Sequence, residues 1–173
     1  DVGNVASMAY MFNGATAFNQ DIGDWNVGKV VSMGYMFRDA VAFNKAIGGW
    51  CVSNVNHMAY MFNGAAAFNQ DIGSWDVGNV TSMAYMFRNA TAFNQDIGGW
   101  GVSNVASMAN MFNGATAFNG DIGAWDVGKV TNMDNMLRST AFNQAIGAWN
   151  VGKVTTMVSM LENAAAFKQD ISR

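Results

Sequence analysis

The apolar positions of the chain recur in one pattern. Between Trp75 and Gly99 they are Trp75, Val77, Val80, Met83, Met86, Phe87, Ala90, Phe93 and Ile97. From Val80 to Ala90 the steps run three, three, one and three, which places these side chains on one stripe of an α-helix of about three turns. Ile97, Trp100 and Val102 follow a shorter rule, with Trp and Val two apart on one face of a short strand. The predicted unit is a strand at Trp-x-Val, a turn at Gly/Ser-Asn/Lys, a helix, and a return loop through Phe-Asn-Gln-Asp-Ile-Gly. Strand, helix and strand in succession give a parallel sheet, so the expected fold class is an α/β solenoid with one short parallel strand and one helix per repeat.

The tryptophans set the register. Trp25, Trp50, Trp75, Trp100, Trp125 and Trp149 are spaced by 25, 25, 25, 25 and 24 residues. One domain of seven coils results: 1–24, 25–49, 50–74, 75–99, 100–124, 125–148 and 149–173. The one shortened spacing falls near Ser139 and Thr140, a segment expected to be a loop. No coil of this size can bury its own Trp and its Met-Phe stripe, so each is stable only against its neighbours. Gly23, Gly48, Gly73, Gly98, Gly123 and Gly147 precede the predicted strand, where a residue without Cβ permits a positive φ or a close approach between coils. Because the chain begins and ends inside the pattern without an atypical polar cap, a fragment of a longer solenoid is expected.

The stretch Phe93 to Met108, F-N-Q-D-I-G-G-W-G-V-S-N-V-A-S-M, closely resembles the repeat of the BspA-like leucine-rich-repeat surface proteins, F-N-Q-D-I-x-x-W-[DN]-V-S-x-V-T-x-M-x-x-M-F. The resemblance extends over essentially the whole chain. It implies a leucine-rich-repeat-like, right-handed coil, a cell-surface or secreted location, and a role in adhesion or protein binding. Leu137 and Leu161, where Phe is usual, and Lys168, where Asn is usual, depart from the pattern in the last two coils.

Composition narrows the function classes. With 51% hydrophobic and 12% charged residues the chain can bury a core. A net charge of −3, with nine Lys and Arg spread along the sequence, gives no basic field for nucleic acid. Cys51 is the only cysteine, so no intrachain disulfide forms. No apolar run approaches the roughly 20 residues a membrane helix requires. Catalysis finds little support: His57 and Cys51 occur once each and lack a carboxylate partner suited to a triad. Phosphate-binding glycine motifs and zinc spacings are missing, and no cofactor is implied.

In a stack of repeats, chemistry must be sought in rows of equivalent positions. The fourteen methionines occupy two such rows, read as core filler. Asn19, Asn44, Asn69, Asn94, Asn119 and Asn143 read as an amide ladder bonded to the backbone of adjacent coils. Asp21, Asp71, Asp96, Asp121 and Asp170 read as turn carboxylates. Of these, Asp71, Asp96 and Asp121 are the candidates for a weak calcium row, which Ala46 and Ala145 interrupt. Thr81, Thr131 and Thr155 are too irregular for an ice-binding hydroxyl array.

Tyr10, Tyr35, Tyr60 and Tyr85 form the most suggestive row, predicted to face outward from the helix. They serve either as a contact surface for a partner or as a column that only stacks on itself. Asn110, Asn135 and Ser159 replace them in later coils. A longer period of 50 residues pairs Asn13-Gly14, Asn63-Gly64 and Asn113-Gly114 with Arg38-Asp39, Arg88-Asn89 and Arg138-Ser139. It reads as duplication of a two-coil unit, or as an Arg row meeting acidic groups on a partner. The functional expectation is a non-catalytic protein-interaction or structural scaffold, as a surface adhesion or assembly subunit. Its partner is a protein, met along Tyr10, Tyr35, Tyr60, Tyr85, Arg38, Arg88 and Arg138 or by stacking of coil ends. The alternative is glycan or calcium binding along the turn rows.

Overall fold

A computed structural model of the protein describes residues 2–172, so Asp1 and Arg173, the outer residues of the first and last coils, lie outside the described residues. The described chain is a stack of irregular coils joined by backbone hydrogen bonds to positions 23 to 26 residues away. The N–H groups of Met83, Tyr85, Phe87 and Asn89 donate to the carbonyls of Ser107, Ala109, Met111 and Asn113 in the next coil, at 3.1, 2.9, 2.8 and 2.8 Å. The intervening N–H groups of Met86, Arg88 and Ala90 donate three residues back, to Met83, Tyr85 and Phe87.

That alternation overturns the expected α/β solenoid and, with it, a leucine-rich-repeat-like coil of helix and strand. Among the described residues there is no helix, and the segment predicted to be one is a run of tight turns. An α-helix needs each N–H to reach four residues back, whereas here every second N–H leaves the coil. Two left-handed residues per coil explain why. Tyr85 has φ 62° and Asn89 φ 58°, and neither fits within a right-handed helix. Turns of three residues still send Val80, Met83, Met86, Phe87 and Ala90 inward, so the apolar spacing imitates a helical stripe.

The strand is corrected as well. Trp75 and Val77 are buried, but the N–H of Trp75 closes a turn onto Ile72 and the N–H of Val80 a turn onto Val77. Parallel pairing occurs five residues after that Val, as isolated single-residue bridges along Ser7, Ser32, His57, Ser82, Ser107, Asn132 and Thr156.

The core is a set of columns running through the stack. Phe12, Phe37, Phe62, Phe87 and Phe112 stack at 5.5–5.6 Å between ring centroids, and Leu137 continues the column. Phe18, Phe43, Phe68, Phe93, Phe118, Phe142 and Phe167 form a second column at 5.7–6.2 Å. Both methionine rows are fully buried in the middle coils. Dispersion between such closely spaced rings and thioethers is repeated at every interface, which is how the stack holds without regular secondary structure.

Glycine before the Trp works by close approach. A Cβ on Gly48 would lie 2.4 Å from the carbonyl oxygen of Asp71 in the next coil. The shortened coil is repaired by a side chain. In coil five the N–H of Ala115 bonds to the carbonyl of Phe112 at 2.8 Å; in coil six the Thr140 hydroxyl donates to the equivalent Leu137 carbonyl at 2.7 Å.

Candidate interaction surface

The tyrosine row is built by the left-handed position. Tyr10, Tyr35, Tyr60 and Tyr85 have φ of 61–63°, a conformation uncommon for any residue with a Cβ and rarer for a bulky one. This conformation, not a helix face, directs them outward. Their rings stack on one another at 4.5, 4.5 and 4.4 Å with interplanar angles of 6–9°. Ring faces are therefore covered within the column, and the edges with their hydroxyls are turned to solvent. Tyr10, in the first coil, is 55% exposed. Withdrawal from water, together with the neighbouring phenols, raises the Tyr35 and Tyr60 hydroxyls above the ordinary value of 10.0.

The arginines divide. The guanidinium of Arg38 lies 6.0 Å from the Tyr35 ring and that of Arg88 lies 5.9 Å from the Tyr85 ring, so both flank the column. Arg38 also pairs with Asp39 at 3.3 Å. Arg138 is in the coil where Asn135 replaces Tyr, and pairs with Glu162 at 2.8 Å. The structure thus brings Tyr10, Tyr35, Tyr60, Tyr85, Arg38 and Arg88 together and leaves Arg138 apart.

The 50-residue period has a steric origin that the sequence reading missed. Gly14, Asp39, Gly64, Asn89, Gly114, Ser139 and Asn163 are equivalent and all left-handed. A Cβ on Gly64 would meet Oδ1 of Asp39 at 2.3 Å, and one on Gly114 would meet Oδ1 of Asn89 at 2.4 Å. Each Asx side chain lies over the next coil's glycine, so the two types alternate. The signal was present as Gly-Asx alternation at a position where both tolerate positive φ.

The asparagine ladder forms. Oδ1 of Asn19, Asn44, Asn69, Asn94 and Asn119 accepts the backbone N–H of the next Asn in the row, at 2.8–3.0 Å. Gln70, Gln95 and Gln144 add a second donor to the same oxygens from Nε2, a partnership that the sequence reading did not include. Asp71, Asp96 and Asp121 are exposed, and Oδ1 of each accepts the N–H two residues on, from Gly73, Gly98 and Gly123 at 2.9–3.0 Å. Each carboxylate thereby closes its own turn. Among the described residues no three His, Cys, Asp or Glu side chains gather where a metal ion could be held.

His57 is accommodated structurally. Its ring fills the space beside Gly34, where a Cβ would come within 2.4 Å of Cδ2, and the equivalent position in the other coils is Ala9, Ala59, Ala84, Ala109, Asp134 or Val158. Cys51 is exposed with its Sγ 3.6 Å from Ser53 Oγ. No helix among the described residues is long and apolar enough to cross a membrane.

No curated protein and no solved structure matches the chain. One family model matches twice, over residues 1–100 and again over 66–173, as a tandem array of like coils allows. Those two overlapping matches span the full sequence, and the chain belongs to the family described as Mycoplasma protein of unknown function, DUF285.

Proposed function

We propose that the chain is a non-catalytic protein-interaction scaffold, serving as a surface adhesion or assembly subunit, whose protein partner docks along the edge formed by Tyr10, Tyr35, Tyr60 and Tyr85, with Arg38 and Arg88 beside it. The observation that carries this reading is the cost of the column. A bulky residue at positive φ costs on the order of 1–3 kcal/mol. A stacked aromatic pair returns roughly 0.5–1.5 kcal/mol beyond its burial. Stacking of three pairs, about 1.5–4.5 kcal/mol beyond burial, stands against about 4–12 kcal/mol for four strained residues. Asn110, Asn135 and Ser159 take the same backbone conformation without Tyr, so the backbone does not require it. Strain retained where a cheaper residue fits points to a use other than stability.

The chemistry of the edge suits a protein. Aligned hydroxyls offer donors and acceptors on rings that have little rotamer freedom left to lose, and the two guanidiniums can receive carboxylates. Resemblance of the repeat to the BspA-like surface proteins supports adhesion as the setting.

The test is a variant with Tyr10→Asn, Tyr35→Asn, Tyr60→Asn and Tyr85→Asn, since Asn is already used at this position. Wild type and variant are immobilised and exposed to a detergent extract of the source organism. Proteins retained by the wild type alone are then purified and titrated by calorimetry. The expected result is an unchanged melting temperature with affinity lowered by at least about tenfold. Equal affinity for wild type and variant would refute the reading.

A further inference from the structure

Four Asn-Gly pairs occur in the chain, Asn13-Gly14, Asn63-Gly64, Asn113-Gly114 and Asn119-Gly120. Such a pair can react with itself: the main-chain nitrogen of the glycine attacks the side-chain carbonyl carbon of the Asn, and no side chain on the glycine stands in the way. By sequence the four are alike, but by structure they are not. In the first three the glycine is left-handed, with φ of 72–76°, and its N–H donates to the carbonyl of Arg38, Arg88 or Arg138 in the next coil at 2.7, 2.7 and 2.9 Å. Attack by these nitrogens requires the coils to separate locally first. Two of the side chains are restrained as well: Asn63 is 7% exposed, and Nδ2 of Asn113 donates to Oδ1 of Asn110 at 2.9 Å.

Asn119-Gly120 is built differently. The Gly120 N–H has no acceptor among the described residues, its φ is outside the left-handed region, and both residues are half-buried, within reach of water. Asn119 is a member of the asparagine ladder, and its Oδ1 accepts two donors at once, the N–H of Asn143 at 2.8 Å and Nε2 of Gln144 at 3.2 Å. Both draw electron density from the side-chain carbonyl carbon and stand where negative charge gathers on Oδ1 during attack, the arrangement of an oxyanion hole. Oδ1 of Asn44 and of Asn69 also has two donors, but Lys45 and Gln70 follow, so a side chain crowds the attacking nitrogen. Among the described residues, a following glycine, a free N–H and two donors coincide at Asn119 alone.

We propose that Asn119-Gly120 is a self-modification site, where the folded stack converts its own asparagine through a succinimide. The Gly120 nitrogen forms a bond to Cγ of Asn119 and gives up its proton, the Cγ–Nδ2 bond breaks, and the departing group takes a proton and is released as ammonia. Water then opens the cyclic imide at either carbonyl, to aspartate or to isoaspartate, and no other reactant is required. The two products differ in effect. Aspartate keeps an acceptor for Asn143 and Gln144. Isoaspartate routes the main chain through Cβ, which adds one atom to coil five between the fully buried Phe118 and Ile122 and breaks the register of the ladder. The site is an irreversible timer at the junction of coils five and six, and it does not rest on the tyrosine column.

The experiment incubates the full chain at mildly alkaline pH, folded or unfolded in urea, and follows each of the four asparagines by peptide mass spectrometry. Loss of ammonia marks the imide, and exchange of NH2 for OH marks the two products. In urea the four sites should react at similar rates. In the folded protein Asn119 should react at least about tenfold faster than Asn13, Asn63 and Asn113, where the glycine N–H is released only by local opening. This comparison needs no substitution. Gln144→Ala removes one donor from Oδ1 and should slow Asn119 several-fold, the Asn143 N–H remaining in place. An unchanged or faster reaction in that variant would mean that the ladder restrains Asn119 instead of activating it, and would overturn the proposal. Equal rates at the four sites of the folded protein would overturn it too.

Discussion

At the scale of the residue, the left-handed positions decide most of what is particular to this protein. Tyr60, with φ 62°, can be exchanged for Asn with little backbone cost, whereas a β-branched residue is strained there. Tyr60→Val is expected to lower stability by about 1–3 kcal/mol and Tyr60→Asn to leave it nearly unchanged, as read by urea denaturation. The raised Tyr35 and Tyr60 hydroxyls carry a pH dependence. Their contribution is complete below the unfolded phenol value of about 10 and is lost as pH rises through the higher folded values. The melting temperature should therefore fall above about pH 10, and fall less steeply in the variant with all four tyrosines replaced by Asn. At Gly64 an alanine meets both an unfavourable φ of 72° and the Asp39 carboxylate. Gly64→Ala should destabilise, and Asp39→Gly should recover part of the loss, with a coupling of about 0.5 kcal/mol or more in a double-mutant cycle. Additivity of the two would show that the Asx side chain does not restrict its neighbour.

At the scale of the element, the coil replaces helix and strand with turns whose alternate N–H groups point to the next coil. Far-UV circular dichroism should accordingly lack the double minimum of a helix, and a strong helical spectrum would contradict the turn architecture. The asparagine ladder is the polar counterpart of the phenylalanine columns. Removing the Asn69 side chain leaves the N–H of Asn94 and the Gln95 amide without their shared acceptor. Asn69→Ala should cost about 1–3 kcal/mol. Periodicity alone could not reveal this element, because steps of three and one arise equally from a helix and from successive three-residue turns. What separates them is the conformation at Tyr85 and Asn89, and Asn is only enriched at positive φ while Tyr gives no hint of it.

At the scale of the whole molecule, stability is a sum over like interfaces, and the ends are the weak points. Phe87 touches rings on both sides, at 5.5 Å from Phe62 and 5.6 Å from Phe112. Phe87→Ala should cost about 3–5 kcal/mol, whereas Phe12→Ala, in the half-buried first coil, should cost clearly less. Amide exchange should be slowest in the middle coils and fastest near both ends; uniform protection would mean that the stack opens as a single unit.

The repeat length, the inward set of Trp, Val, Met, Phe and Ile, and the asparagine ladder were legible in the amino-acid order, because burial of apolar groups and amide bonding between equivalent coils follow from residue type and a 25-residue period. The row of tyrosines and the Gly-Asx alternation were visible too, but not their meaning. Stacking at 4.5 Å, the pairing of Arg138 with Glu162, the packing of His57 over Gly34, and the choice of turns over helix and strand all depend on partners about one coil away. Local spacing has no access to such contacts. Only when the coils are stacked does the backbone commit its N–H groups between coils, and that commitment is what rules out the helix.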